Sequence, residues 1–273
     1  MKSQKINIKN NKFNNSKRSS FQKNFKKKAE SINYSEFLHT GNYVDYYKRR
    51  NNDDRVNFFE SKYFTNSLVC DYGCHNGDFS FSLFEKFHES IKKFDGIDVQ
   101  FECIKNAQKS LVNKIQYQQN ENLSFIDYNK IYFQVGNWID NITDSENILL
   151  GQYNVILVLS VTKWIHLYHG DKGLRIFFQR AFNRLVSGGY LFLEPQGKQS
   201  YLKTVNEFGG FIEESFKSLT ISPDDMKLLL LQIGFKFVKV LKEKKNGQAF
   251  NREILLFTKG DQILNEEQFF ANK

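Results

Sequence analysis

The sequence predicts an α/β domain built on a mostly parallel, seven-stranded open sheet, with helices on both faces and a C-terminal antiparallel hairpin. Three observations lead there. Strand-like and helix-like hydrophobic patterns alternate from Leu68 onward, as they do when crossover helices join parallel strands. The first strand pattern runs straight into a glycine-containing turn and then a helix. The last two strand patterns are separated only by a charged loop containing Asn246-Gly247, a dipeptide suited to hairpin turns.

The elements follow in order. Residues 68–72 are a short apolar run, and Asp78–Phe87 is a helix with Phe79, Leu83 and Phe87 at helical spacing. Residues 94–99 form a second strand, with a helix after it to about Ser110. Residues 113–130 are polar and rich in Asn and Gln, which predicts a surface insertion before a third strand at Ile131–Val135. Residues 155–159 are wholly apolar, the pattern of a strand covered on both faces. An amphipathic helix over residues 171–185 is expected to stop at Gly188-Gly189, and residues 190–193 form a fifth strand halted by Glu194-Pro195. A helix over residues 223–232 then precedes the hairpin strands 235–241 and 253–258. This pattern gives five parallel strands with the hairpin as an antiparallel edge.

Charge divides the chain further. Residues 1–30 hold ten Lys or Arg and one acid, Glu30, while the rest holds 29 basic and 29 acidic residues. The whole excess therefore sits in an Asn/Lys/Ser-rich arm too poor in apolar surface to fold alone. The expected organisation is a basic disordered arm at 1–33, one domain at 34–260 and a polar tail at 261–273. The arm suits a solvated tail or nuclear-import signal around Lys17-Arg18 or Lys26–Lys28. It equally suits salt-sensitive contact with a phosphate backbone. No window approaches the roughly 18 apolar residues that span a bilayer, and the N-terminus has no apolar signal core. A soluble intracellular protein with no membrane partner is expected, nuclear by its basic clusters and otherwise cytoplasmic. Cys70 and Cys74 lack a second ligand pair and Cys103 stands apart, so neither disulfides nor a metal site are expected.

The chemistry concentrates at predicted strand ends. Asp71-Tyr72-Gly73-Cys74-His75-Asn76-Gly77 joins the first strand to its helix. Ligands of open parallel sheets bind beyond such carboxyl ends. Gly73 permits a tight turn and Gly77 a close helix start, and Asp71 can hold an ammonium. The loop lacks the G-x-G-x-x-G spacing of dinucleotide sites, so it points to a ligand without a pyrophosphate. Asp98 ends the second strand, 25 residues after Gly73, where an acid accepts ribose hydroxyls. Gly136-Asn137-Trp138 ends the third, with an Asn amide or backbone for an adenine edge and an apolar wall for its ring. Together these predict S-adenosylmethionine bound in a Rossmann-like methyltransferase domain, the alternative being a Rossmann scaffold without that role.

More specific are Leu159-Ser160-Val161-Thr162-Lys163-Trp164-Ile165-His166-Leu167, Gly170-Asp171-Lys172-Gly173-Leu174, Leu185-Val186-Ser187-Gly188-Gly189 and Leu193-Glu194-Pro195-Gln196. In these the chain closely resembles the methylphosphate capping enzymes, the bicoid-interacting family of RNA 5′-phosphate methyltransferases. The resemblance runs from about Gly41 to Lys259 and includes Gly41-Asn42-Tyr43, Tyr46-Tyr47, Arg50 and Ala249-Phe250-Asn251-Arg252. It implies methyl transfer from S-adenosylmethionine to a terminal phosphate oxygen at the 5′ end of a small structured non-coding RNA. One branch of the family acts on the γ-phosphate of small nuclear RNA and a smaller branch on 5′ monophosphates. The Tyr-Tyr-x-x-Arg and Phe-Asn-Arg elements resemble the former.

The implied catalytic residues are Lys163 and His166. Tyr46, Tyr47, Arg50, Thr162, Trp164, Glu194 and Gln196 are implied for the substrate. For the cofactor they are Arg55, Asp71, Gly73, Cys74, Asn76, Gly77, Asp98 and Val99, with Gly136, Asn137, Trp138, Leu159 and Ser160. The chain departs from the family where Gly197-Lys198 replaces the usual Pro-Trp, and where Tyr72 replaces a small aliphatic residue. An alternative is an RNA-binding subunit of a ribonucleoprotein with little turnover. The basic arm and the Gly197-Lys198 departure favour it; Asp71, Asp98 and the stretch from Ser160 to His166 oppose it. A small-molecule methyltransferase fits neither the resemblance nor the arm.

Overall fold

A computed structural model of the protein describes Tyr46, Arg50 and residues 53–120, 125–139, 151–243 and 252–260. The arm at 1–33, the tail at 261–273, Tyr47 and the Asn246-Gly247 turn lie outside the described residues. The strands are β1 (Ser67–Tyr72), β2 (Ile91–Asp98), β3 (Ile131–Val135), β4 (Tyr153–Leu159), β5 (Leu185–Glu194), β6 (Phe235–Lys242) and β7 (Ile254–Lys259). The helices are α1 (Asp78–Phe87), α2 (Phe101–Asn120), α3 (Thr162–Arg184), α4 (Lys198–Phe208), α5 (Gly210–Ser218) and α6 (Met226–Ile233). The sheet order is β3-β2-β1-β4-β5-β7-β6. Strands β1 to β5 pair in parallel, and β7 is antiparallel to both β5 and β6. The expected hairpin is present, but its antiparallel strand lies inside the sheet and β6 forms the edge.

Strand β4 shows why the sheet needs cover on both sides. Val155, Leu157 and Leu159 point into one core, while Ile156 and Val158 point into the other, as a period of two requires. Helices α1 and α2 close the first core through Phe79, Leu83, Phe84, Ile104 and Ala107. Helices α3 and α6 close the second through Leu174, Phe177, Phe178, Leu230 and Ile233. On the first side Phe192 of β5 meets the rings of Phe59, Tyr63 and Phe64, with centroids 4.9, 5.4 and 6.3 Å away. The chain preceding β1 is pinned to the sheet by these contacts.

Several boundaries differ from the sequence reading. Helix α2 continues to Asn120 instead of ending near Ser110, because Leu111 and Ile115 extend the buried stripe of Ile104 and Ala107. One apolar residue per turn is a faint signal among Asn and Gln. Helix α3 begins at Thr162, nine residues early, and is kinked at Gly170 (φ 65°, ψ −170°). Gly188-Gly189 does not stop a helix but lies inside β5. The register jumps there from Tyr153↔Leu185 to Val155↔Tyr190, the mark of a bulge. Gly188 has φ 73°, and a Cβ on Gly189 would stand 2.9 Å from the Val186 carbonyl oxygen. Helices α4 and α5 were not anticipated. They pack on α3 through Leu167, Tyr201 and Ile212.

Phe192→Ala should lower stability by about 3–5 kcal/mol, since a buried ring is lost and a cavity remains. A urea titration would show a lower midpoint with an unchanged slope.

Candidate active site

Strands β1 and β4 are neighbours whose following helices lie on opposite faces, so a crevice opens beyond their carboxyl ends. Gly73 (φ 81°) makes the turn after β1, and a Cβ there would lie 2.8 Å from Val161 Cγ2 at the end of β4. Gly77 (φ 80°) precedes α1, and a Cβ there would meet the Phe133 ring at 2.8 Å. Both positions need glycine for conformation and for space.

Asp71 is only 3% exposed. Ser80 Oγ donates to its Oδ2 at 2.6 Å, and its Oδ1 accepts no hydrogen bond among the described residues. Burial raises its pKa to about 6. A buried carboxylate with unused acceptor capacity fits the ammonium of an amino-acid moiety. Asp98 receives the backbone N–H of His75 on Oδ2 and of Gln100 on Oδ1, both at 2.9 Å. Burial raises its pKa, and those N–H groups oppose the shift. A carboxylate has about four lone-pair sites, so Asp98 keeps capacity for ribose hydroxyls. The donor set therefore fits S-adenosylmethionine.

The other cofactor candidates divide into rim and interior. Asn76, Val99, Gly136 and Asn137 are half-buried. Cys74 and Leu159 are buried in the first core. Trp138 departs from expectation: its indole is not a wall of the crevice but packs in the second core, 4.7 Å from Tyr72 and 5.9 Å from Phe177 between centroids.

Glu194, with no exposed surface, organises the neighbouring side. Arg50 donates to both its oxygens at 2.8 and 3.2 Å, and Arg55 donates to Oε2 at 3.0 Å. Arg50 also donates to Tyr46 Oη at 2.9 Å. Arg55 pairs with Asp53 and stands 4.5 Å over the Phe79 ring. Burial opposes the charge on Glu194, yet Arg55 and Arg50 hold its pKa below the usual range. Ser160 has φ 63°, a strained conformation for a residue with a Cβ. It is held by its N–H on the Glu194 carbonyl at 3.0 Å, its hydroxyl on the Glu194 carboxylate, and the Gln196 amide on its own carbonyl. Arg252 Nη1 donates to Ser160 Oγ at 2.6 Å.

Gln196 also fixes the start of α3, its Oε1 accepting from Thr162 Oγ1 at 2.9 Å and the Lys163 N–H at 3.0 Å. This sets Lys163 with Nζ 2.7 Å from Thr204 Oγ1 and 4.2 Å above the half-buried Trp164 ring. Burial, with Arg252 adding to it, lowers the Lys163 pKa to about 7. His166 lies inside instead of on the crevice. Its Nδ1 meets Tyr201 Oη at 3.2 Å and its Nε2 meets Asp171 Oδ1 at 2.7 Å. Asp171 in turn accepts from the Thr220 and Ile221 backbone, so His166 ties α3 to its surroundings. Thr162, Glu194 and Gln196, expected at the substrate, are also buried and engage protein groups.

Sequence reasoning missed Ser80, Asp53, Thr204, Tyr201 and Gln100, which carry no local motif. Arg252 was visible only within the resemblance. With Arg50, Arg55 and Lys163 it makes four cations against the Glu194 and Asp53 carboxylates, a field that favours an anion.

Fold and site together define an S-adenosylmethionine-dependent methyltransferase. The N-methyltransferase NodS of Bradyrhizobium japonicum, solved with S-adenosyl-L-homocysteine, aligns over 84% of this chain and 98% of its own with TM-score 0.51 and 15% identity. The chain belongs to the bicoid-interacting protein 3 (Bin3) family, whose model matches residues 153–259. The U6 snRNA methylphosphate capping enzyme Amus of Drosophila melanogaster is 31% identical over 230 residues, which cover 80% of this chain and 74% of that protein. The Homo sapiens 7SK snRNA methylphosphate capping enzyme is 25% identical, covering 86% of this chain but only 40% of that longer protein. The Pre-miRNA 5′-monophosphate methyltransferase of Xenopus laevis is 24% identical, covering 80% of this chain and 91% of its own.

Glu194→Gln should cost about 3–5 kcal/mol, because it removes the buried counter-charge that Arg50 and Arg55 share and leaves Asp53 to balance both. The pKa of Glu194 is lower in the folded state, so its contribution is complete above pH 4.5 and is lost as pH falls through the folded value. Urea titrations of both proteins at several pH values would show the gap closing in acid.

Proposed function

We propose that this protein methylates the terminal phosphate at the 5′ end of a small non-coding RNA, the γ-phosphate of a triphosphate end. The observation that carries this is the pair of cations on Ser160 Oγ, Arg50 and Arg252, with Lys163 near enough to feel the Arg252 charge, at the end of the strand next to the Asp71 turn. The relatives named for capping small nuclear RNA support it.

S-adenosylmethionine, when bound, supplies a methyl group made electrophilic by its sulfonium. The protein's residues do the rest by placement. Asp71 takes the ammonium, Asp98 the ribose hydroxyls, and the loop of Asn137 the adenine edge. Arg252 and Lys163, with Arg50 and Tyr46 behind them, hold the phosphate. A phosphate oxygen is already anionic, so no strong base is required. The rate then comes from holding that oxygen in line with the methyl group. Lys163 and Arg252 are the residues that touch the reacting phosphate, and His166 positions α3. The basic arm adds sequence-blind contact with the RNA backbone and suits a nuclear location.

A second reading, an RNA-binding subunit of a ribonucleoprotein with little turnover, is favoured by two features. Arg50 and Arg55 already direct guanidinium donors at Glu194, and Gly197-Lys198 stands where the family has Pro-Trp.

Transfer of a labelled methyl group to hairpin RNAs with 5′ triphosphate, monophosphate or hydroxyl ends tests the proposal. Label confined to the triphosphate RNA, and released with its γ-phosphate, is expected. Label on the monophosphate RNA would move the activity to that end, and tight binding without label would favour the subunit reading. Lys163→Ala should lower kcat/KM for RNA on the order of 100-fold, as expected for a lost charge-stabilising donor.

The pH dependence has two limbs. Asp71 must be ionised to pair with an ammonium, so kcat/KM for the cofactor should fall below about pH 6. Lys163 must be protonated to attract phosphate, so kcat/KM for RNA should fall above about pH 7. Lys163→Arg, whose charge does not titrate in this range, should remove the upper limb and leave the lower one in place.

A further inference from the structure

We infer that Tyr72 is a positioning residue for the adenine end of the cofactor site, its hydroxyl holding the loop after β3 in the shape that reads the base. The inference rests on the cofactor assignment above and extends it to a residue outside that set.

Tyr72 is the last residue of β1, and it pairs with Ile97 of β2 and Val158 of β4. Its side chain passes β2 and reaches the loop that leaves β3. There the hydroxyl accepts the Trp138 backbone N–H at 3.0 Å and donates to Asn137 Oδ1 at 3.3 Å. Asn137 Oδ1 also accepts the Ile139 N–H at 3.0 Å. The Asn137 carboxamide oxygen is therefore turned toward the protein and its nitrogen away from Tyr72. An N–H presented in this sense matches N1 of adenine, the ring acceptor that is replaced by an N–H in hypoxanthine.

The phenol itself cannot swing. Its ring is 2% exposed and lies 4.7 and 4.8 Å from the Trp138 and Phe177 centroids. Helix α3 holds the same loop as well. Arg180 Nη1 donates to the Trp138 carbonyl at 2.5 Å, and the Arg184 guanidinium lies 4.5 Å over the indole. Among the described residues strand β3 is an edge strand, and no further strand there supports the loop from beyond it. A small aliphatic residue at position 72 would fill part of the core but would reach neither Trp138 nor Asn137. Phenylalanine fills the same space and lacks only the hydroxyl, which makes Tyr72→Phe the informative change.

Calorimetric titration of wild type and Tyr72→Phe with S-adenosylhomocysteine and with S-inosylhomocysteine, whose base lacks the exocyclic amine and has a protonated ring nitrogen, tests the inference. Tyr72→Phe should weaken S-adenosylhomocysteine about tenfold and S-inosylhomocysteine less than twofold. In turnover assays KM for S-adenosylmethionine should rise by a similar factor, with kcat at saturation and RNA affinity within twofold of wild type. Asn137→Ala should weaken the adenine ligand, and adding Tyr72→Phe to it should cost little more, the non-additivity of two residues acting as a unit. Unchanged affinity in Tyr72→Phe, or equal loss for both ligands, would overturn the assignment, the latter marking general loosening of the fold. Wild type binding neither ligand would instead overturn the cofactor reading beneath it, so the two failures are distinguishable.

Discussion

A carboxylate with no access to water stays ionised only if cations are brought to it, and Glu194 at the end of β5 imposes that condition on its surroundings. Arg50 and Arg55 come from the segment before β1, and Ser160 comes from the end of β4. None of these is near Glu194 in sequence. The pairing fastens the leading segment over the sheet, where Phe59, Tyr63 and Phe64 then find Phe192. It also holds Ser160 in its left-handed conformation. The positive field of the site is thus partly a consequence of a structural need: the buried cations recruited to neutralise one buried acid lie beside the Ser160 corner.

The sheet topology decides what shares that crevice. Because β4 returns beside β1, the Asp71 turn and the Ser160 corner meet, and the Gly73 turn packs against Val161. Because β7 inserts between β5 and β6, the chain entering it delivers Arg252 to Ser160. An antiparallel strand at the outer edge would have carried Arg252 one strand further away. One end of the sheet thus holds two differently charged regions, acidic at β1 and β2 and cationic at β4 and β5. Their adjacency suits a cofactor that carries an ammonium and a substrate that carries phosphates.

Much of this was legible beforehand for a physical reason. Strand and helix periods are local properties, so all seven strands, α1 and the alternation that implies parallel pairing could be read from neighbouring residues. Gly73, Gly77, Asp71 and Asp98 were legible because a turn demands glycine, and because acids at strand ends in this order suit one kind of ligand. The errors fell where a local pattern had two tertiary uses. Gly188-Gly189 suits a helix stop or a strand bulge, and only pairing with β4 selects the bulge. The Asn- and Gln-rich stretch suits a loop or a helix, and only contact of Leu111 and Ile115 with the first core selects the helix.

Roles within the site were less legible than membership. Sequence order placed His166, Trp138 and Glu194 among the functional residues, but it held no information on which way each side chain points. Burial decided that. His166 is tied between Tyr201 and Asp171, Trp138 faces the core, and Glu194 faces arginines. The sequence by itself determined the class of fold, the family, and the glycines and acids that stand at the strand ends. Tertiary structure alone decided which groups touch, because the hydrogen bonds linking Tyr72 to Trp138, Arg252 to Ser160 and Arg50 to Glu194 span 66, 92 and 144 residues. No local pattern records a contact at such separations; it arises only when the sheet closes.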